Sequence, residues 1–122
     1  MTREVRQLRV FDDARGSLLP VELADVGFPV ARVFVVSGAL GGSRRGGHEV
    51  PCHELVVLVA GRAEVQVRAE PDAPPESVIL DRPGAAMELC PGETMSYCLA
   101  DERSSVLVLA DAPYDADRNG TR

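Results

Sequence analysis

The 122-residue sequence has no tryptophan, no lysine and only two histidines, His48 and His53. The missing lysine excludes any mechanism that runs through a Schiff base or an amine nucleophile. A divalent transition metal held by side chains prefers several imidazoles, so two in the whole chain argue against a catalytic metal. Aromatic residues amount to 4%, with two Tyr and three Phe, which leaves few rings to stack on a planar ligand. The three cysteines, Cys52, Cys90 and Cys98, are an odd number without CxxC spacing; they read as reduced, spectator thiols. No apolar run approaches the roughly 18 residues of a membrane span, and the opening "MTREVRQLRV" has no apolar signal core, so no membrane contact and a cytoplasmic location are expected. A net charge of −6 supplies no basic face for nucleic acid.

What is present is punctuation, every eight to twelve residues or so. Arg15-Gly16, "SGALGG", Gly61, "EPDAPPE", "RPG", "PG" and "ADER" are turn material. Between them lie short runs rich in Val, Leu and Ile at 5–11, 17–23, 31–37, 53–60, 62–69, 76–81, 85–90, 94–100 and 104–110. The run 62–69 is the clearest: Ala63, Val65, Val67 and Ala69 alternate with Arg62, Glu64, Gln66 and Arg68, a period of two with one dry and one wet face. No segment carries a capped 3.6-residue period. Many short strands at regular spacing predict an all-β sandwich or antiparallel barrel of jelly-roll type. At this length one domain is expected over 1–122, its core spanning about 5–112 and a polar tail following over 113–122.

The stretch "RRGGHEVPCHELVVLVAG", residues 44–61, holds both histidines behind a glycine cluster. Counting Gly42, His48, Val50, Glu54 and Gly61, the spacing resembles the first cupin motif, with valine in place of the second histidine. The second motif would fall around "PGAAMELCPGETMSY", where Pro91-Gly92 is present and no histidine follows. A barrel retained with its metal site lost is the expectation. Added to this, "FDDARGSLLPVE", "FPVARVFVV", "VILDRPGAAMELCPGETM" and "SSVLVLADAPYDADR" occur in an order that resembles the nucleotide-sugar 3,4-ketoisomerases, WxcM-like metal-independent cupins, over about residues 8–118.

That resemblance implies a homodimer of antiparallel barrels, often with exchanged N-terminal strands. It also implies an isomerase that moves a carbonyl from C4 to C3 of a thymidine-diphospho-4-keto-6-deoxyhexose through an enediol. Such chemistry takes a small-molecule substrate and needs no metal or organic cofactor. It needs one group to accept a carbon-bound proton and another to protonate oxygen, work that histidine and carboxylate do near neutral pH. The family's His-x-His pair is "HEV" here: His48 matches the first histidine and Val50 occupies the second position. The catalytic candidates are therefore His48, Glu54 and His53. Glu54 sits where cupins place an inward carboxylate, and burial raises a carboxyl pKa. His53 precedes it and in a regular strand faces the other way, unless Pro51 introduces a bulge. Glu49 alternates outward relative to His48 and is kept as a substrate contact.

Arg15, Arg32 and Arg45 match arginine positions of the family, and three guanidinium forks suit a diphosphate. Tyr97 and Phe34 are the candidate rings for a base, and Met95, where relatives commonly have an aromatic residue, suits an adaptable apolar pocket. Alongside the ketoisomerase reading stand two alternatives that Val50 keeps open: a cofactor-free isomerase or cyclase of natural-product biosynthesis on the same barrel, and a non-catalytic ligand-binding cupin.

Overall fold

The alternation seen in the sequence becomes two antiparallel sheets facing each other across a shared core. The computed structural model describes residues 3–114; of the expected polar tail, 115–122 lie outside the described residues. One sheet has five strands in the order β1 (Arg6–Gln7), β9 (Ala85–Leu89), β6 (Glu54–Ala60), β11 (Ser105–Ala110) and β4 (Arg32–Ser37). The other has four, β5 (Ser43–Glu49), β10 (Thr94–Leu99), β7 (Ala63–Arg68) and β8 (Glu76–Leu80). A hairpin of β2 (Phe11–Asp13) and β3 (Gly16–Leu18) stands apart from both. Among the described residues the only helical element is a 3₁₀ turn at Leu23–Asp25, and no helix is long and apolar enough to cross a membrane. The all-β, antiparallel expectation holds.

Period two decides what each sheet buries. On β6, Glu54, Val56 and Leu58 turn inward, while Leu55 and Val57 turn outward. Val65 and Val67 of β7, Met95, Tyr97 and Leu99 of β10, Met87 and Leu89 of β9 and Val106 and Val108 of β11 complete the inner core. Outside, Leu55, Val57, Ala86 and Leu109 form a second cluster with Val26, covered by Leu8, Leu19, Val21, Phe28 and Val30 of the N-terminal segment. The sheet is thus apolar on both faces, which accounts for the near-continuous hydrophobic run of 55–59.

Two expectations are corrected. The run 17–23 is not one strand: Pro20 lacks the N–H a ladder needs, so the chain leaves β3 at Leu18 and winds into the 3₁₀ turn. Conversely, residues 43–49, with three charged side chains and two glycines, show no hydrophobic alternation and yet form β5, held between β10 and solvent by backbone pairing.

Candidate active site

The irregularity of β5 is what assembles the site. Its ladder with β10 pairs Tyr97 with Arg45, Ser96 with Gly46 and then Met95 with His48, so Gly47 is an extra residue. This β-bulge resets the alternation. Arg45 and His48, three apart and on opposite faces of any regular strand, both stand opposite inward residues of β10. The glycines are required: Gly46 and Gly47 have φ of 97° and 77°, and a Cβ on Gly46 would lie 2.9 Å from the Met95 carbonyl oxygen.

Across the interior, the five-stranded sheet aligns Arg32, Ala110, Glu54 and Leu89 in one row. Ala110 has too small a side chain to separate its neighbours, and the Arg32 guanidinium reaches over it to Glu54, Nη2 to Oε2 at 3.8 Å. Glu54 is fully buried and Arg32 nearly so. Arg32 is further flanked by the rings of Phe34 at 5.1 Å and Tyr114 at 5.6 Å, a cation–π setting that suits a partly desolvated guanidinium. Charged groups are carried inside a barrel only when paired. His48, Arg32 and Glu54 therefore turn toward the interior from two sheets, beside Met95, Tyr97 and Phe34, while Arg45, opposite Tyr97 in the ladder, remains exposed.

The other sequence candidates lie elsewhere or are less accessible than expected. Arg15 sits at the β2–β3 turn with its side chain 90% exposed and is paired with Asp13 at 2.5 Å. That contact holds the Asp13 carboxyl below its ordinary range and raises Arg15; the structure does not bring Arg15 to the inner group. Glu49 is exposed, one residue out of phase with His48. His53 leads into β6 facing outward, with its ring against Phe28 at a centroid distance of 6.0 Å; Pro51 does not re-aim it. Tyr97 and Met95 are enclosed by the core. Neither offers an open face at a barrel mouth, and Phe34, partly buried, is the more accessible ring. Val50 is completely buried in the same inner core. Cys52 is buried as well, and burial together with nearby Glu54 pushes its thiol pKa up, which keeps it protonated and inert.

Sequence reasoning named Arg32 and Glu54 separately and missed that they pair. Their contact depends on β4 and β6 both flanking β11, a register that no local pattern encodes.

The family described as FdtA: WxcM-like, C-terminal, matches residues 1–119. No curated protein matches. Among solved structures, a 3,4-ketoisomerase from Helicobacter canadensis superposes with a TM-score of 0.80 at 21% identity, over 96% of this chain and 88% of that one. A double mutant of the QdtA 3,4-ketoisomerase from Thermoanaerobacterium thermosaccharolyticum, in complex with TDP, gives 0.79 at 23% identity, over 93% and 83%. ChmJ, a 3'-monoepimerase from Streptomyces bikiniensis, gives 0.76 at 22% identity in complex with dTDP-quinovose, over 97% and 69%. At these identities the likeness concerns the fold, a cupin-like antiparallel barrel.

Proposed function

Because this chain belongs to the WxcM-like, C-terminal (FdtA) family, we propose that it is a sugar-nucleotide isomerase that moves a carbonyl between C4 and C3 of a TDP-4-keto-6-deoxyhexose. The observation that carries the reading is the bulge in β5, which turns His48 inward toward the wall that holds Glu54 and Arg32. His48 takes the proton from C3 while the C4 oxygen gains one, giving the enediol. Delivery of a proton to C4 and loss of the C3 hydroxyl proton complete the shift, with no net gain or loss of atoms or electrons. An imidazole works at both steps near neutral pH because its ordinary pKa lies there. Glu54 holds Arg32 in place on the inner wall, and Arg32 with Arg45 supplies donors to an anionic substrate. The TDP-bound neighbours support a nucleotide-sugar ligand.

A second reading rests on Val50. With an apolar residue where relatives of the resembled family carry their second histidine, a barrel that performs a different cofactor-free isomerisation is the alternative, and the 3'-monoepimerase among the structural neighbours fits a wider range of proton-transfer chemistry.

The deciding experiment is a thermal shift with TDP against thymidine and free diphosphate. A ligand at a hundredfold excess over its dissociation constant adds about 2.7 kcal/mol to apparent stability. A shift selective for TDP keeps the nucleotide-sugar reading and leads to the ketoisomerase assay. There, His48→Asn is expected to lower turnover by about 10²–10⁴-fold with stability within about 1 kcal/mol of the parent. No shift with TDP, or full turnover by His48→Asn, overturns it.

A further inference from the structure

The outer face of the same sheet holds a second group of chemically capable side chains that the isomerase reading does not use. The β6–β9 ladder pairs Glu54 with Leu89 and Leu55 with Glu88. One step beyond its end, His53 faces Cys90, and Glu88 lies two residues away on the same outer face. An imidazole nitrogen, a thiol sulfur and a carboxylate oxygen from these three residues lie within 4.8 Å of one another. The His53 Nδ1 atom is buried, makes no hydrogen bond among the described residues, and stands 4.0 Å from Glu88 Oε1, too far for one.

The backbone around the group is fixed at each point. His53 N–H donates to Asp111 Oδ1 at 3.0 Å, and its carbonyl accepts from Asp111 N–H at 3.1 Å. Cys90 N–H donates to Glu93 Oε1 at 2.7 Å, and the Glu88 carbonyl accepts from Arg3 Nη1 at 3.1 Å. Phe28 packs on the imidazole. We propose that His53, Glu88 and Cys90 form a three-ligand site for a divalent cation of the zinc class, on the opposite face of the sheet from the isomerase site and independent of that activity. Mixed nitrogen, sulfur and carboxylate donors are the set zinc takes, with water in the fourth position. At metal–ligand lengths of about 2.0–2.3 Å the donors of a tetrahedron lie about 3.5 Å apart. Rotation of the half-exposed His53 and Glu88 side chains closes that gap. Binding releases the Cys90 thiol proton to solvent and leaves a thiolate on the metal. A bound ion ties the end of β9 to the lead-in of β6, one residue before Glu54.

The test is a titration of chelator-stripped protein with Zn²⁺, and with Co²⁺ as the spectroscopic probe. One equivalent is expected to bind with a micromolar or lower dissociation constant, to raise Tm, and with cobalt to give a thiolate-to-metal charge-transfer absorption. Cys90→Ser should abolish that absorption, and His53→Ala should weaken binding at least about tenfold, while Cys98→Ser and His48→Asn leave both as in the parent. Binding only at millimolar metal, an absorption that survives Cys90→Ser, or unchanged affinity in His53→Ala overturns the proposal. Loss of binding in His48→Asn would overturn it too, by placing the ion on the inner face. Since TDP binding and turnover are read separately, neither proposal's failure is mistaken for the other's.

Discussion

The inner and outer faces of the five-stranded sheet are both largely apolar, yet they treat polar side chains differently. Inside, the row that begins β6 carries a fully buried carboxylate against a guanidinium. Outside, Leu55, Val57 and Leu109 are covered by the N-terminal segment, and the polar residues His53 and Glu88 stay half exposed at the margin. Burying the ion pair forgoes hydration that a hydrophobic pair would not need. Stability alone does not explain such a pair, and under the proposed function it serves the ligand. The outer cluster has no such feature and is explained by packing.

Four single substitutions and one double variant sharpen this contrast, from the largest expected effect down. Arg32→Ala leaves Glu54 buried without its ion-pair partner and should cost about 3–5 kcal/mol in chemical denaturation. The double change Arg32→Met with Glu54→Leu should recover most of that stability and still fail to bind TDP. A double variant as unstable as the single one would mean that the pair is structural, and would collapse the distinction between the faces. On the outer face, Leu55→Ala should cost about 2–4 kcal/mol by leaving a cavity under the N-terminal segment, without changing TDP affinity. Gly46→Ala should cost about 1–3 kcal/mol and weaken TDP binding, because a Cβ meets the Met95 carbonyl and strains the bulge; equal affinity would show that His48 does not depend on the bulge for its direction. Arg15→Ala, which removes only an exposed hairpin contact, should leave Tm unchanged.

The sequence made the architecture legible wherever burial on one face left a period-two trace, as in β7 and β10. It failed where a strand is held by ladder hydrogen bonds alone. Ser43–Glu49 has no apolar alternation, and the phase of its side chains depends on a bulge that the Gly46-Gly47 pair hints at but does not locate. For the site, His48, Glu54, Arg32 and Arg45 were recognisable one at a time from spacing and resemblance; the first three turn inward from the two sheets, and Arg45 is exposed. Arg15, named with them as a substrate contact, lies exposed at the turn of the β2–β3 hairpin, which pairs with neither sheet of this chain. The grouping of His53 with Glu88 and Cys90 left no local signal, since it exists only through the β6–β9 register.

The extra glycine in β5 also divides that strand into two halves. Deleting Gly47 would leave Arg45 and His48 two apart in a regular ladder, still opposite Tyr97 and Met95 and still on one face, whereas keeping Gly47 and closing the bulge would set Gly47 opposite Met95 and turn His48 outward. The tolerance therefore runs one way: losing this residue is compatible with two inward groups at regular spacing, while keeping it demands the left-handed backbone that Gly46 and Gly47 adopt.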